Sequence, residues 1–223
     1  MAPIVYKMDA SPPACAVRML ADIIGLELEL KDLNFRTMDH KAPDYVKLNP
    51  LGTLPVLVDD DVELSDSHAI MIYLLSKYGG ARSEELYPSD LRTRAAVNQA
   101  LFFDTGIFFI RLKVVALPTL LEGLKAPSEK QLKDISEAYG FVESYLRQHQ
   151  YIACDHLTIA DLSVAATAAA MQGILKLDQE KFPRTAEWLA KLEHEPFFKK
   201  ITTPGADIFA KVLQLYWDKN NQQ

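Results

Sequence analysis

The chain has 223 residues, 49% of them hydrophobic, and a formal net charge of −6. This length accommodates one large domain or two modest ones, and the acidic balance disfavours binding to the phosphate backbone of nucleic acids. No run of about 18 apolar residues predicts a membrane span, and the N-terminus lacks the basic and apolar regions of a signal peptide, so we expect neither a membrane nor a nucleic acid as a partner.

The number of cysteines indicates the redox state of the compartment in which the protein resides. Cys15 and Cys154 are the two cysteines of the chain. So few cysteines argue against a disulfide scaffold and fit a reducing compartment, and we therefore expect a cytoplasmic protein. Cysteine and histidine do not cluster with the spacing of metal ligands, so no metal site is predicted.

The chain begins with a predicted β-α-β unit. Ile4–Tyr6 is a short strand, and Ser11 followed by Pro12 is typical of a helix start, with the serine as N-cap and the proline at the first helical position. That helix is expected to end at Gly25. Leu28–Leu33 alternates apolar and polar residues and predicts a second strand. Two strands joined through a helix favour a parallel pair with a right-handed crossover.

A β-hairpin and a capped helix are predicted next. Val56–Val58 and Val62–Leu64 flank the acidic turn Asp59–Asp61, as strands of a hairpin do. Ser65–Ser67 then precede an apolar periodic run over Ala69–Tyr78, so these polar residues are expected to cap a helix. A helix start offers unpaired N–H groups and the positive end of the helix dipole, which suit a carboxylate. We therefore predict a carboxylate-sized ligand between this helix start and the turn before the hairpin.

Strand signals stop after Gly79–Gly80 and the polar segment 81–89. A long helix is predicted from Ser89 or Asp90 to Leu117, because Pro118 should end it. Five further helices are predicted, over Ser128–Gln148, Leu162–Ile174, Pro183–Glu193, Pro196–Lys200 and Asp207–Trp217.

Two of these helices begin with a capping box, at Ser128–Gln131 and at Thr158–Asp161. The helix after the second box is rich in alanine and apolar all round, so it is expected to be the buried central helix of this half. We assign Asp161 to folding and not to catalysis.

The stretch from Asn49–Pro50 to Pro55, followed by Asp66–Ser67–His68–Ala69–Ile70, resembles the glutathione-binding half of cytosolic glutathione transferases. The Ser-His-Ala-Ile form looks like the insect epsilon class, a sister of the delta class. Ser11–Pro12–Pro13 matches the catalytic turn of the delta/epsilon group, and the resemblance runs from about Ile4 to beyond Phe198.

The resemblance implies a fold of two parts. These are a thioredoxin-like α/β domain over residues 1–80, which binds glutathione, and an all-helical domain over residues 90–223, which contributes the pocket for a hydrophobic substrate, with a linker at 81–89. It also implies a homodimer.

Ser11 carries the chemistry that the resemblance implies. Its hydroxyl would donate a hydrogen bond to the glutathione sulfur and favour the thiolate, which is the nucleophile. From the residues alone, a serine before a proline is explained by helix capping. The two interpretations are compatible, since a serine at this turn can also direct its hydroxyl at a ligand.

The implied glutathione site contains eight further residues: His40, Gly52, Thr53, Leu54, Pro55, Asp66, Ser67 and His68. The resemblance implies a cis Leu54–Pro55 bond, with the Leu54 backbone pairing with the cysteinyl residue of glutathione. Asp66 suits the γ-glutamyl ammonium and Ser67 the γ-glutamyl carboxylate, although capping alone explains both residue types. His68 is a weaker candidate, because a lone histidine is often a helix surface residue.

Gly52 departs from the family pattern, which has a histidine here that faces the glycyl carboxylate. Two alternatives follow: Lys41 or His40 compensates for the missing imidazole, or the affinity for glutathione is weaker. The departure suggests a divergent branch of the epsilon-like enzymes.

By resemblance, the pocket for the second substrate is lined by Phe35, Phe108, Arg111, Val115, Ile208 and Phe209. From the residues alone, phenylalanines in the long helix are more often core than ligand contacts. For Arg111, a surface cation is an interpretation as good as a pocket residue.

The implied function is glutathione S-transferase activity, in which the glutathione thiolate attacks small hydrophobic electrophiles in the detoxification of xenobiotics or insecticides. Glutathione is then a cosubstrate, and no metal takes part. The alternative is a non-catalytic protein of the same fold that sequesters apolar ligands. Dehydrohalogenation, isomerisation and peroxide reduction would use the same thiolate, and the sequence does not separate them from conjugation.

Overall fold

In the computed structural model, which describes residues 2–222 without the side chain of Arg36, four strands form one mixed sheet. Their bounds are Ile4–Lys7 (β1), Glu29–Asp32 (β2), Val56–Asp59 (β3) and Val62–Ser65 (β4). The spatial order is β2-β1-β3-β4, with β1 parallel to β2 and β3 antiparallel to both β1 and β4. The predicted β-α-β unit and hairpin are confirmed, and with their helices they form a thioredoxin-like domain.

Most of the rest of the described chain is helical. The α-helices are Pro12–Ile24 (α1), Pro43–Leu48 (α2), Ser67–Tyr78 (α3), Arg82–Leu86 (α4), Leu91–Phe103 (α5), Phe109–Leu121 (α6), Glu129–Tyr145 (α7), Ile159–Met171 (α8), Pro183–Glu193 (α9) and Pro196–Asn221 (α10). Short 3-10 helices span Phe35–Thr37 and Asp39–Lys41, and a π-helical turn spans Asp104–Phe108. Within residues 2–222, none of the helices has both the length and the apolar character needed to cross a bilayer.

The predicted buried central helix is α8. Every one of its residues is buried, and α1, α5 and α10 pack against it. It begins at Ile159, directly after the Thr158 cap, and so starts three residues earlier than predicted. Because α1 belongs to the thioredoxin-like domain, the core is continuous between the two domains.

The predicted helix end at Pro118 is wrong. The chain leaves α5 through the π-helical turn, and α6 then continues past Pro118. A proline has no N–H for the carbonyl four residues earlier, which here is that of Val114. The side chain of Gln131, on α7, supplies the missing donor, with Nε2 2.8 Å from Val114 O. A neighbouring helix therefore satisfies the carbonyl that the proline leaves unpaired.

The two C-terminal helices predicted over Pro196–Lys200 and Asp207–Trp217 are one continuous helix, α10. Pro204 and Gly205 lie between the predicted pieces, and both residues are unfavourable inside a helix. Ile201 and Gly205 are buried, and α10 packs along α1 and α8. Tertiary packing thus overrides the local preference for a break.

The predicted linker 81–89 is not entirely irregular, because it contains α4. The side chain of Leu86 in this short helix is fully buried. This burial attaches the connecting segment to the core. The other unpredicted helix, α2, precedes the loop that leads to β3.

Candidate functional site

Ser11 stands between β1 and α1. Its φ and ψ are −89° and 110°, the extended conformation of an N-cap, and Pro12 occupies the first helical position as predicted. The Ser11 hydroxyl makes no capping hydrogen bond, and no partner for it exists among residues 2–222. The residue therefore occupies the cap position without using its hydroxyl as a cap, which leaves that hydroxyl available as a donor to a ligand.

Cys15 lies one helical turn after Ser11 but is 2% exposed. Burial raises the pKa of the Cys15 thiol to about 12, and Sγ lies 3.3 Å from the Asp9 carbonyl oxygen, to which it donates. A protonated, buried thiol is a poor nucleophile. The buried Cys15 thiol therefore suits packing in the core and not redox chemistry.

The Leu54–Pro55 peptide bond is cis, as the resemblance implies. The loop before it is held by Tyr45 Oη and Asn49 Nδ2, which donate to Thr53 O at 2.6 and 2.9 Å. Among the described residues, the N–H and C=O of Leu54 have no hydrogen-bond partner. Both groups are therefore available to an extended peptide, in the manner of an added strand.

Tyr45 is a site-supporting residue that the sequence analysis did not identify. It is buried, and burial raises the pKa of its phenol to about 12, so the hydroxyl remains a donor to the loop. Asn49 belongs to the motif that the sequence analysis quotes, and Tyr45 lies four residues before it. Both side chains donate to the Thr53 carbonyl oxygen, so the motif was the signal that could have led to Tyr45.

Gly52 has a φ of +60°, in the left-handed region that favours glycine. A Cβ at this position would lie 2.9 Å from the His40 carbonyl oxygen and 3.0 Å from Lys41 Nζ. A histidine would therefore strain this loop and collide with its neighbours. The Lys41 ammonium instead lies beside the place from which the family histidine would project, and it has no acidic partner among the described residues.

His40, whose carbonyl oxygen faces Gly52, also has an unpaired ring nitrogen. Its Nδ1 is buried without a hydrogen-bond partner in the described chain, and its ring lies 4.1 Å from the ring of Phe35, centroid to centroid. Burial lowers the pKa of His40, and the nearby Lys41 ammonium lowers it further. A buried polar atom without a partner is a candidate ligand contact.

Asp66 and Ser67 form the start of α3. The Asp66 Oδ1 atom accepts hydrogen bonds from the backbone N–H groups of His68 and Ala69, at 2.9 and 3.0 Å. Two of the N–H groups that the sequence predicted to be free are therefore occupied by this carboxylate. Within the described residues, Asp66 Oδ2 and the N–H and hydroxyl of Ser67 have no partner. One carboxylate oxygen and two donors thus remain for a ligand.

Asp66 adopts an unusual backbone conformation, with a φ of +97°. For a residue other than glycine this conformation is uncommon and is most often found at functional sites. Its position directly before α3 agrees with the predicted ligand site.

The alternative interpretation of His68, a residue on the helix surface, is wrong. Its side chain is 10% exposed, and Nε2 lies 2.7 Å from Ser163 Oγ on α8. Ser163 in turn donates to Asp104 Oδ2 at 2.5 Å, while Asp104 Oδ1 is buried without a partner in the described chain. Thr105 Oγ1 lies 3.4 Å from the other ring nitrogen. The His68 ring therefore faces the helical domain, and its predicted contact with glutathione remains a prediction.

The structure distributes the six predicted pocket residues over two environments. Phe108 and Val115 have no exposed surface, and the Phe108 ring packs against the rings of Phe103 and Tyr139, each at 5.7 Å. Phe108 and Val115 therefore belong to the core of the helical domain and present no surface to a second substrate. This burial contradicts their assignment to the pocket and supports the alternative, a core position for the phenylalanines of the long helix.

The other four side chains are accessible to different degrees. Phe35 is half-buried and Ile208 is 42% exposed, whereas Phe209 is 9% exposed. Arg111 is half-buried, and its Nε is buried without a partner within residues 2–222. No group of three or more metal-ligating side chains is assembled in the part of the chain that the structure describes.

Comparison with known families agrees with this geometry. The N-terminal domain model of glutathione S-transferases matches residues 1–76, and the C-terminal domain model matches residues 95–196. Glutathione S-transferase D7 of Anopheles gambiae is 38% identical over 217 residues, which cover 96% of this chain and 98% of that protein.

Two solved structures have the same overall fold. An epsilon-class glutathione S-transferase from the housefly, Musca domestica, superimposes with a TM-score of 0.93 at 35% identity, covering 96% of this chain and 98% of the other. A glutathione transferase homologue from Drosophila mojavensis with bound glutathione gives a TM-score of 0.92 at 34% identity, covering 96% and 97%. The chain is therefore a transferase that belongs to the glutathione S-transferase family, in the insect delta/epsilon group.

Proposed function

We propose that this enzyme joins the thiolate of glutathione to small hydrophobic electrophiles and that Ser11 donates the hydrogen bond that stabilises the thiolate. The observation that carries the proposal is the Ser11 hydroxyl, which stands at the N-cap of α1 and caps nothing. A free thiol has a pKa of about 8.5, so only about 3% is thiolate at pH 7. A donor aimed at the sulfur, next to the positive end of α1, favours the charged form.

Glutathione would be held along its backbone and at its two ends. The free N–H and C=O of Leu54 suit the cysteinyl residue, in the mode of an added strand. At the γ-glutamyl end, Asp66 Oδ2 suits the ammonium, while the N–H and hydroxyl of Ser67 suit the carboxylate. Thr53 and Pro55 shape the loop that presents Leu54.

The glycyl carboxylate would be met by two side chains other than the family histidine. His40 contributes an unpaired, buried Nδ1, and Lys41 contributes an ammonium without an acidic partner in the described chain. Gly52 is then part of the loop geometry that admits Lys41, and not simply a lost contact.

The electrophile would occupy an apolar pocket next to Ser11. We keep Phe35, Arg111, Ile208 and Phe209, which the resemblance assigns to its walls, because these side chains retain accessible surface or an unpaired polar atom. The proposal includes the division into a glutathione-binding domain over residues 1–80, a linker at 81–89 and a helical domain over residues 90–223.

A homodimer and a role in cytoplasmic detoxification of xenobiotics, including insecticides, complete the proposal. Leu51, Leu91 and Phe102 are 71%, 84% and 72% exposed, and exposed apolar side chains mark an interface where they form one contiguous patch. The two cysteines are free, which fits a compartment that keeps glutathione reduced.

The test is turnover of chloro-dinitrobenzene with glutathione by the wild type and by Ser11→Ala. In Ser11→Ala we expect the pKa of the bound thiol to rise towards about 8.5. The rate at neutral pH should fall steeply and recover in part as pH rises, with glutathione affinity little changed. Wild-type protein that binds glutathione but turns over no electrophile would favour a non-catalytic binding protein. A wild-type rate and pH profile in Ser11→Ala would show that another group activates the sulfur.

A further inference from the structure

Gly205 in α10 lies directly against the turn that carries Ser11. A Cβ built on Gly205 would stand 2.4 Å from the carbonyl oxygen of Asp9 and 3.0 Å from Cys15 Sγ. Side-chain Cβ atoms essentially never come within 3.0 Å of such atoms. A glycine inside a helix makes the helix less stable than an alanine would. The close approach of the two backbones explains the glycine at position 205, because no other residue fits without a collision.

The Asp9 residue is held in place by several groups besides α10. Its carbonyl oxygen accepts a hydrogen bond from Cys15 Sγ at 3.3 Å. Its carboxylate binds Lys7 Nζ and Arg18 Nη1, each at 2.7 Å. Because both the backbone and the side chain of Asp9 are held, the turn has one well-defined position.

Ser11 belongs to the same turn. Its backbone N–H donates to Met8 O at 3.0 Å, and its carbonyl oxygen accepts from the N–H of Cys15 at 2.9 Å. Asp9 lies between Met8 and Ser11 in this short hydrogen-bonded segment, so a displacement of the Asp9 carbonyl is passed to Ser11 through two peptide units.

The helix on the other side of the contact is also anchored. Lys200 near the start of α10 forms an ion pair with Asp22 of α1, and Thr202 Oγ1 lies 3.1 Å from Met19 Sδ. At the far end, Asn220 Nδ2 donates to the carbonyl oxygen of Thr119 at 3.0 Å. A side chain added at Gly205 would therefore press on a helix tied at both ends and displace the shorter turn.

We propose that Gly205 is a positioning residue that sets where the Ser11 hydroxyl stands relative to the glutathione sulfur. The inference rests on the proposed role of Ser11. A Cβ at position 205 requires the Asp9 oxygen to move from 2.4 Å to at least 3.0 Å. Displacing a catalytic group by about 1 Å can reduce a rate by about 100-fold.

The test is Gly205→Ala, with three measurements. These are the pKa of the bound glutathione thiol from thiolate absorbance, the pH profile of chloro-dinitrobenzene turnover, and glutathione affinity by calorimetry. We expect the thiol pKa to rise towards about 8.5 and kcat at neutral pH to fall by about 10- to 100-fold. Part of the rate should return at higher pH, and glutathione affinity should stay nearly unchanged, because Leu54, Asp66 and Ser67 are not displaced.

Gly140→Ala is the matched control. Gly140 is also inside a helix, α7, but a Cβ there would meet only Phe182 Cε1, at the ordinary contact distance of 3.5 Å. This variant should keep the wild-type thiol pKa and pH profile. A merely structural effect of adding a methyl group to a helix would be equal in the two variants.

Three outcomes would overturn the inference. One is a folded Gly205→Ala protein with the wild-type thiol pKa and pH profile. If Gly205→Ala does not fold, Cys15→Ala serves in its place, because it removes the hydrogen bond from Sγ to the Asp9 carbonyl oxygen without adding a collision. This variant should raise the pKa of the bound glutathione thiol by a smaller amount than Gly205→Ala. An unchanged thiol pKa in Cys15→Ala is the second overturning outcome. If Ser11→Ala itself leaves the thiol pKa unchanged, the proposed role of Ser11 fails. A crystal structure of Gly205→Ala then tests whether Gly205 sets the position of Ser11. A displaced Ser11 supports this claim, and an undisplaced Ser11 overturns it.

Discussion

The ring of His68 reaches across the domain boundary to Ser163, with Nε2 2.7 Å from Oγ. His68 lies in the first turn of α3, directly after Asp66 and Ser67, and Ser163 lies in the buried helix α8. Ser163 also donates to the buried carboxylate of Asp104. The start of the helix that would bind the γ-glutamyl end of glutathione is thus tied to the core of the helical domain.

We predict that Ser163→Ala weakens both stability and glutathione binding. The change removes the donor to the buried Asp104 carboxylate and the partner of His68, and a buried polar group left unpaired costs about 1–3 kcal/mol. Affinity should fall because His68 no longer holds the start of α3. Thr105→Ala is the control, since its hydroxyl makes only a 3.4 Å contact with the ring. Denaturant unfolding and calorimetry measure the two effects. Reduced stability with unchanged affinity would restrict the cluster to folding.

Gly52→Ala should damage the glutathione loop more than Gly123→Ala damages its own loop. Both glycines have positive φ, +60° and +76°, but a Cβ on Gly123 would meet no atom within 4 Å. The shared conformational cost is about 1–2 kcal/mol. Only Gly52→Ala adds a collision with His40 O and Lys41 Nζ, so it should lose more stability and also glutathione affinity. Equal loss in the two variants, with normal affinity, would contradict the proposed place of Lys41.

Asp161→Ala should cost much more than the loss of an exposed cap. Asp161 is fully buried and accepts hydrogen bonds from Ile152 N, Thr158 N, Thr158 Oγ1 and Trp188 Nε1 at 2.9–3.0 Å. Removing the carboxylate leaves several buried donors unpaired, for which we expect a loss of about 3–5 kcal/mol. Ser128→Ala removes the other, exposed capping box and should cost about 1 kcal/mol. Similar unfolding midpoints for the two variants would refute the difference.

The stability of the hairpin should depend on pH through Asp59. This residue is 2% exposed and accepts hydrogen bonds from Lys77, Tyr73 and Tyr78 at 2.8–2.9 Å. Burial acts to raise the pKa of Asp59, but the bonds from Lys77 and the two tyrosines outweigh it, so the pKa is lowered. The folded state therefore favours the ionised form. This stabilisation is present above the unfolded pKa of about 3.9 and is lost as pH falls through the folded value.

We accordingly expect the free energy of unfolding to decline below about pH 4 and Asp59→Asn to flatten that decline. Lys77→Met removes a group that lowers this pKa, so it should reduce stability near neutral pH and also flatten the acid slope. Urea unfolding at a series of pH values measures both slopes. An unchanged acid slope in Asp59→Asn would mean that other carboxylates dominate acid unfolding.

Local signals in the sequence predicted most of the elements that carry the site. Ser11 with Pro12 starts α1, and Asp66 caps α3. The acidic turn joins β3 to β4, and both capping boxes begin helices. Such signals depend on hydrogen bonds and backbone angles within a few residues, so they can be recognised without knowledge of the fold.

The incorrect predictions fall where a residue distant in the sequence overrides the local conformational preference. Pro118 continues a helix because Gln131 pairs the carbonyl that it leaves free. Pro204 and Gly205 lie inside α10 because that helix packs on α1. His68 is buried because Ser163 and Asp104 face it from the other domain.

The residues alone therefore specified the four strands, the starts of the main capped helices and, through their motifs, the family. Only the tertiary structure decided which polar groups remain free. Ser11 and Ser67 keep unpaired donors, whereas Asp66 uses one carboxylate oxygen on its own helix and His68 pairs with Ser163 of α8. Whether a donor is free depends on every chain segment within hydrogen-bonding distance, and those segments come together only when the two domains pack.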